Sequence, residues 1–475
     1  MMSDDEKRRI KGNKMIDLAE QTTVLKGGMV VLPGCVKKMD LVIKGERIEA
    51  LVNDFIMDET ADCRIIDVSG KVILPGIIDT HVHMWDPSPF NYREDWYSGS
   101  QCAAEGGITT IVDMPLSVPP VVDRQGFGLK YETANRQSFV DFAFWGGLTP
   151  GCLDQMEELN NLGCVAYKGF MSFANPDYPQ ITDGYLVKGM EIARKFDGLI
   201  GVHAENAEVA DFGCRWLAEM GECDPARYDD ARPWWVELEA IQRACLFSRA
   251  VGNRLYICHM TIAQGAEFLK QEKCRGTRVY VETCPQYLLF DRNVLRSKGA
   301  YAKCNPPLRS RENVEKLWNY VMDGTIDTIG SDHGPYRDEE KTKEGDFFKE
   351  LCGFGGFDGL LPSMLTEGVN KRGLPLERLA DLTSGNAAKI MGLYPKKGSL
   401  LPGTDADIVV VDLNEEWTFD GKKSFSKTKS DKNVYHGMDM KGRVKQTWVR
   451  GKLVYRDGSI TGKAGYGQYV PRQSR

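Results

Sequence analysis

The chain has 475 residues, of which 42% are hydrophobic and 10% aromatic, so it can bury a large core and global disorder is excluded. Its 61 basic and 67 acidic residues give a formal net charge of −6, which disfavours a nucleic-acid partner because such proteins usually carry a basic surface. No uninterrupted apolar run approaches about 18 residues, so no membrane-spanning helix and no membrane partner are expected. The charged N-terminus and the 13 scattered cysteines, with no CxxC pair, predict a cytoplasmic protein with reduced thiols.

The N-terminal part of the chain, residues 1–74, predicts short β-strands. Between residues 22 and 74, apolar runs are broken by glycine turns, as in GGMVVLPG and MDLVIKGERIEAL. This pattern is typical of strands joined by tight connections. We expect this part to form one half of a small β domain.

The middle of the chain, residues 75–395, alternates between apolar runs and helix-compatible segments such as 183–196 and 311–322. The eight apolar runs are GIIDTHVH, TTIVDMP, VDFAFW, VAYKGF, LIGVH, LYICH, VYVET and DTIGSD. Short apolar runs between helices indicate buried parallel strands joined by right-handed crossovers. Eight such units predict an α/β fold, a (β/α)8 TIM barrel that forms the catalytic domain. A doubly wound open sheet is the alternative.

The C-terminal part, residues 396–475, again predicts strands, in DADIVVVDL and VKQTWVRGKLVYRDGSI. Gly451 and the Asp457-Gly458 pair supply turn residues between alternating segments. We expect the two β-rich ends of the chain to pair as one smaller β-sandwich domain beside the barrel.

The chain has only six histidines, and four of them stand at the ends of predicted strands. His81 and His83 are two residues apart, so the period of a strand turns both side chains to one face. His203 and His259 close the fifth and sixth strands, and Asp332 closes the eighth. The carboxyl ends of barrel strands are where such folds carry their chemistry.

Imidazoles and a carboxylate are the ligands that zinc and similar divalent ions prefer. Four histidines and one aspartate exceed the three protein ligands of a single catalytic zinc, which indicates two ions that share a bridging hydroxide and a bridging anion. Lys168, in the fourth strand, is a cation in this set, but its amine could react with CO2 to give a carbamate that bridges both ions. A structural histidine at each position, and a buried ion pair for Lys168, are the alternatives.

The two other histidines have simpler interpretations. His333 follows Asp332 and points away from it on an extended chain, so support of the site is expected rather than ligation. His436 lies in the terminal β segment and is expected at the surface. The glycine-rich run GFGGFDG from Gly353 follows the last strand with no βαβ unit around it, which favours a flexible active-site loop over a dinucleotide site.

The motifs PGIIDTHVH, GGITTIVDMP, AYKGF, VHAEN, CHM, ETCPQY and GSDHGP follow the order seen in the amidohydrolase superfamily. More narrowly, the chain resembles the cyclic amide hydrolases, which are the hydantoinases, allantoinases, dihydropyrimidinases and dihydroorotases. The resemblance runs from about residue 22 to the C-terminus. It implies a binuclear zinc site on a carbamylated lysine, a small-molecule cyclic amide substrate, and a homo-oligomer that is commonly a homotetramer.

By this resemblance, His81, His83 and Asp332 hold one ion, and His203 and His259 hold the other. Lys168, modified to N6-carboxylysine by CO2, bridges them. The bridging hydroxide attacks the ring carbonyl, and Asp332 is the catalytic residue that takes the proton and returns it to the leaving nitrogen. The resemblance also predicts that Phe173, Cys284 and Asn305 bind the substrate.

The substrate is predicted from the positions at which this chain differs from particular members of the resembling family. Dihydroorotases have an arginine where this chain has Trp85, and dihydropyrimidinases and D-selective hydantoinases have a tyrosine where it has Phe173. The segments DMPLSVPP and FAFWGGLTPG resemble allantoinases, whereas CPQY, GSDHG and GYGQYVPR resemble L-selective hydantoinases. The aromatic Trp85 and Phe173 suit an apolar ring substituent, so a hydantoin is expected and allantoin is the alternative. A dihydropyrimidinase-like or dihydroorotase-like hydrolase, a mononuclear deaminase and a non-catalytic scaffold are the further alternatives.

Overall fold

The computed structural model describes residues 22–55, 63–173, 177–342 and 346–473. The parts of the predicted terminal domain at residues 1–21, 56–62 and 474–475 lie outside the described residues. The predicted domain boundaries at 74/75 and 395/396 stay predictions. No helix in the described ranges is both long and apolar enough to cross a bilayer.

Five strands precede the barrel: β1 (Thr22–Leu32), β2 (Cys35–Lys44), β3 (Arg47–Val52), β4 (Cys63–Asp67) and β5 (Val72–Pro75). Strands β1 and β2 form a hairpin in which Leu32 pairs with Cys35. The turn between them places Gly34 at a φ of 75°, which a residue without a side chain adopts most easily.

Eight parallel strands form the barrel: β6 (Ile77–Val82), β7 (Ile108–Asp113), β8 (Asp141–Gly147), β9 (Ala166–Phe170), β10 (Leu199–His203), β11 (Arg254–Ile257), β12 (Val279–Thr283) and β13 (Thr328–Ile329). Each strand pairs with its neighbour in sequence. Val82 bridges to His333, and the His83 N–H donates to the His333 carbonyl at 2.7 Å, which closes the sheet between its first and last strands. The predicted (β/α)8 barrel is confirmed, and an open doubly wound sheet is excluded.

Helices connect and cover the barrel strands, as in parallel sheets whose two faces are buried. Asp95, Asp123, Asn206 and Ser310 each cap a helix by accepting a backbone N–H of the first turn. The α-helices are Trp96–Glu105, Arg124–Gln137, Met156–Asn161, Asp183–Arg194, Ala207–Glu219, Tyr228–Ala231, Trp234–Val251, Ala263–Cys274, Pro285–Leu289, Val294–Lys298, Arg311–Met322, Phe357–Ser363, Leu376–Ala380 and Asn386–Met391. Two π-helical turns span Met364–Lys371 and Asp381–Gly385. Short 3-10 turns span Leu153–Gln155, Pro225–Arg227, Gly299–Ala302, Asp338–Glu340 and Gly421–Lys423.

The remaining strands are β14 (Ile408–Thr418), β15 (Asp439–Val449), β16 (Lys452–Arg456) and β17 (Ser459–Ile460). Strand β14 pairs antiparallel with β5, from Ile408 opposite Pro75, and so joins both ends of the chain in one nine-stranded sheet. Leu25, Ile73 and Trp448 belong to a separate buried core of this sheet. The predicted small β domain built from both ends of the chain is confirmed.

A buried ion network holds this sheet against the barrel, at the end opposite the strand ends that carry the histidines. Asp141 begins β8, and its carboxylate accepts from Lys397 Nζ at 2.7 Å and from Arg450 Nε at 3.1 Å. Lys397 also donates to Asp407 at 2.6 Å. Because these side chains are almost fully buried, both domains share one set of paired charges.

Candidate active site

The candidate ligands meet at the carboxyl end of the barrel. His81 lies in β6 and His203 ends β10, whereas His83, His259 and Asp332 follow β6, β11 and β13. All five line one cavity of about 520 Å³. The site predicted from strand ends is therefore assembled from separate strands of one barrel mouth, where barrel enzymes place their catalytic groups.

Asp332 faces the two histidines of the HxH motif. Its Oδ1 lies 3.4 Å from His81 Nε2 and 3.2 Å from His83 Nε2. The backbone of Asp332 has a φ of 53°, and that of His259 has a φ of 37°. Non-glycine residues seldom adopt this left-handed region, and strain of this kind concentrates at functional sites, where it aims a side chain.

The second pair of histidines is equally close, with His203 Nδ1 only 3.1 Å from His259 Nε2. Two ligands of a tetrahedral zinc ion, each bound at about 2.0–2.1 Å, lie about 3.3 Å apart. The separations within the His81, His83 and Asp332 group and within the His203 and His259 pair are close to this value. The donor spacing within each of the two groups is therefore that of ligands to a divalent ion.

Lys168 is fully buried in β9, and its Nζ makes no hydrogen bond to nitrogen or oxygen and no ion pair within the described part of the chain. The thiol of Cys258 and the ring of Phe170, whose centroid lies 4.9 Å from Nζ, are its neighbours. The alternative interpretation of Lys168 was a buried ion pair, but no carboxylate of the described residues forms one with it. A buried amine without a partner is costly, which favours a functional role.

The electrostatics hold the candidate ligands in the forms that bind metal. Burial lowers the pKa of His81 and His259 well below the ordinary histidine value, and the charge of Lys168 acts in the same direction. Burial also lowers the pKa of His203, although its bond to Glu205 opposes this. Burial alone would raise the pKa of Asp332, but the neighbouring histidines and Lys168 bring it below its ordinary value. Neutral imidazoles and an ionised carboxylate are the result, and these are the ligand forms of divalent ions.

A buried carboxylate that the sequence interpretation missed orients His81. Glu282, in β12, accepts from His81 Nδ1 at 2.7 Å and from the His259 N–H at 3.0 Å on one oxygen. Its other oxygen accepts from the hydroxyls of Thr80 at 2.7 Å and Tyr256 at 2.9 Å. Because Nδ1 of His81 is held by this carboxylate, Nε2 is the nitrogen that faces the cavity. A glutamate within the apolar run VYVET was the available signal.

His203 has a matching support. Its Nε2 lies 2.7 Å from Glu205 Oε2, and Arg232 donates to both oxygens of Glu205, at 2.9 and 2.6 Å. The fork of Arg232 holds the pKa of the Glu205 carboxyl far below its ordinary value despite full burial. The glutamate two residues after His203 in VHAEN was the signal for this pair, whereas nothing local marked Arg232.

His333 lies outside the cavity, in the supporting position that the sequence predicts. Its ring stacks on Phe357 with centroids 3.8 Å apart, and Nδ1 accepts from the Gly356 N–H at 3.1 Å. Its carbonyl accepts from His83, so it fixes the chain beside the site. His436 is partly exposed in the terminal domain, as expected.

Of the three predicted substrate-binding residues, Phe173 and Asn305 line the cavity. Phe173 is 58% exposed at its mouth, and Asn305 accepts from the Tyr228 hydroxyl at 2.6 Å. Cys284 is fully buried, precedes the helix Pro285–Leu289 and is not among the residues that line the cavity. The structure therefore places two of these side chains where a substrate could touch them, and their roles stay predictions.

The chain belongs to the amidohydrolase family, which it matches over residues 72–454. It is 38% identical to an allantoinase of Deinococcus radiodurans over 92% of this chain and 96% of that protein. It is 34% identical to an L-hydantoinase of Paenarthrobacter aurescens over 95% of this chain and 98% of that protein. Its fold is similar to the solved structure of the L-hydantoinase (dihydropyrimidinase) from Arthrobacter aurescens, with a TM-score of 0.91 at 34% identity over 95% of this chain and 99% of that one. The resemblance found in the motifs is confirmed.

Proposed function

We propose that this chain is a metal-dependent cyclic amide hydrolase that opens the ring of a hydantoin-type substrate. The observation that carries the proposal is the convergence of four histidines and Asp332 on one barrel cavity, above the buried Lys168. The similarity to proteins named allantoinase and L-hydantoinase supports the same reaction class. Because every predicted ligand position holds a residue able to bind metal, a non-catalytic scaffold is disfavoured.

His81, His83 and Asp332 would hold one divalent ion, His203 and His259 the other, with the modified Lys168 between them. When bound, two such ions, most simply zinc, supply a hydroxide at neutral pH and polarise a carbonyl. The chain's own contribution is to hold neutral imidazoles in fixed orientations through Glu282 and Glu205.

Modification of Lys168 is part of the proposal. A neutral amine adds to CO2 and loses one proton, which converts the side chain from a potential cation to an anionic carbamate. The absence of an ion pair for Nζ among the described residues supports this, because no carboxylate there holds the amine as an ammonium. A bridging anion would also remove the unfavourable charge that an ammonium at Lys168 would place beside three histidines.

Asp332 is proposed as the general base and then the general acid. Its carboxylate faces the cavity, and the neighbouring histidines keep its pKa below the ordinary value, so it is ionised at neutral pH and can accept a proton. It takes a proton from the attacking water and returns it to the ring nitrogen as the amide bond breaks. Ring opening then leaves a carboxylate and a free ureido nitrogen.

A hydantoin with an apolar ring substituent fits the cavity wall best. Trp85, Phe90 and Tyr336 line it with aromatic surface, and Phe173 lies at its mouth. Such surface suits an apolar group better than the polar ureido group of allantoin. The similarity to the Deinococcus allantoinase favours allantoin as the second candidate. A dihydropyrimidinase-like activity ranks below these, and a dihydroorotase-like one is disfavoured because Trp85 replaces the expected arginine.

Turnover of metal-replete protein on hydantoin, 5-benzylhydantoin, allantoin, dihydrouracil and dihydroorotate tests the proposal. We expect the two hydantoins to be opened with a higher kcat/KM than the other three substrates. Highest kcat/KM on allantoin would replace the proposed substrate, and no opening of any cyclic amide would contradict the reaction class.

The assembly and location are proposed from the same resemblance and from composition. We infer a homotetramer that works in the cytoplasm on a small-molecule substrate. Light scattering coupled to size-exclusion chromatography checks the assembly, and a monomer at micromolar concentration would contradict it.

A further inference from the structure

The guanidinium of Arg93 is enclosed by aromatic rings at one wall of the cavity. Its Cζ lies 4.5 Å from the ring centroid of Phe90, 4.6 Å from that of Tyr336 and 4.7 Å from that of Trp85. All four side chains line the cavity. A cation is attracted by the electron density on the face of an aromatic ring, so the guanidinium of Arg93, which lies between these three rings, stabilises their arrangement.

Glu340 fixes this guanidinium from one side. Its Oε1 accepts from Arg93 Nη2 at 2.7 Å and from Nε at 2.9 Å, and the Tyr92 hydroxyl donates to the same oxygen at 2.7 Å. The side chains of Arg93 and Glu340 are only 11% and 16% exposed. A partly buried two-pronged pair has a defined geometry, which an exposed pair of flexible side chains lacks.

The pair connects two segments that flank the candidate metal ligands. Residues 84–93 follow His83, and residues 333–340 follow Asp332, on the two sides of the seam where β6 meets the chain after β13. A second link crosses the same seam, because Trp85 Nε1 donates to the Pro335 carbonyl at 2.9 Å. The ring of Trp85 is thus held at its edge by a carbonyl and on its face by the guanidinium.

We propose that Arg93 and Glu340 are a positioning pair, which fixes the rings of Trp85, Phe90 and Tyr336 as a rigid wall and thereby sets the preference for a planar, apolar ring substituent. The inference rests on the proposed function and deepens it. The hydrogen bonds and ring contacts of this pair include none of the candidate metal ligands, so we place its action in the wall. Because the ion pair neutralises the arginine, the wall presents aromatic surface rather than a free charge.

The test compares two substrates that share the reacting ring, unsubstituted hydantoin and 5-benzylhydantoin. Arg93→Met fills a similar volume among the rings but removes the guanidinium and its two hydrogen bonds. Glu340→Gln removes the negative charge of the carboxylate. Each variant should raise KM for 5-benzylhydantoin about tenfold while KM for hydantoin stays within about threefold, with kcat and metal content unchanged. Arg93→Lys should recover little, because an ammonium lacks the two-pronged geometry. The double variant should be no worse than either single one, because the two residues act as a unit.

Arg372→Met is the matched control. Arg372 also pairs with glutamates and lies 4.8 Å from a tryptophan ring, that of Trp318, but outside the cavity lining. It should leave both KM values unchanged. Equal losses on both substrates, or none on either, would overturn the positioning role while leaving the ring-opening activity established. A wild type that opens neither hydantoin would instead contradict the proposed function, and the inference with it.

Discussion

Substitution of Glu282 by glutamine tests how far the buried carboxylate controls metal binding. Glutamine keeps one oxygen, which can accept from His81 Nδ1 and from the His259 N–H, as the carboxylate does. Its NH2 group then faces the hydroxyls of Thr80 and Tyr256, which can rotate to accept. Tyr256 retains a partner in Thr328, 2.6 Å away. The hydrogen-bond count is therefore preserved, and the negative charge behind His81 is what is lost.

Loss of such an outer carboxylate typically costs about tenfold to a hundredfold in metal affinity. That range corresponds to about 1.4–2.8 kcal/mol of binding free energy. The metal-free protein should unfold at nearly the wild-type urea concentration, because burial raises the pKa of Glu282 and the neutral amide avoids the cost of a buried charge.

Competition against a chromophoric chelator measures the affinity, and urea unfolding of the metal-free protein measures the stability. Glu272→Gln is the control, since Glu272 is also buried and accepts from Thr277 and Arg249 but lies in the outer helix Ala263–Cys274. It should bind metal as the wild type does. Wild-type metal affinity in Glu282→Gln would refute the orienting role of the carboxylate.

Three further predictions concern single side chains. Lys168→Ala should lose both bound metal, measured by elemental analysis, and turnover. Added short-chain carboxylates should restore part of each, because they supply the missing anion. Full activity in the variant would show that Lys168 has only a structural role. Asp332→Asn should lower kcat by about a hundredfold to ten-thousandfold with a smaller loss of metal, and unchanged kcat would move the base elsewhere. Burial, helped by the charge of Asp358, raises the pKa of Glu105 from 4.5 to about 8, so the folded protein binds this proton more tightly than the unfolded chain and loses stability as pH rises through that window. Glu105→Gln should remove this loss. Urea unfolding between pH 5 and 8 should then show that the free energy of unfolding of the variant rises relative to the wild type by at most about 1.4 kcal/mol per pH unit. The control Glu312→Gln, at an exposed position, should show no such rise.

The barrel and the positions of the candidate ligands were predictable because their signals are local. Parallel strands buried on both faces are apolar over most of their length, so the predicted runs LIGVH and VYVET coincide with β10 and β12. The HxH spacing and the strand-end positions of His203 and Asp332 follow from the period of a strand and the barrel's geometry. The pairing of β5 with β14 could be expected only in outline, because its register depends on residues more than 300 positions apart.

The supporting residues could not be predicted in the same way, because each is defined by a distant partner. Glu282 meets His81 across 201 positions, and Arg93 meets Glu340 across 247. A glutamate in an apolar strand indicates that something neutral or cationic must meet it, but the sequence does not say what. The positive φ of His259 is likewise a result of tertiary packing.

Metal stoichiometry against activity tests the central claim most directly. Metal-free protein is titrated with zinc in bicarbonate buffer, each sample is freed of unbound ion, and bound metal and hydantoin turnover are measured on the same material. Four histidines, Asp332 and a bridging Lys168 predict that binding saturates at two ions per chain and that full turnover requires both. Saturation at one ion per chain with full turnover would contradict the two-metal account.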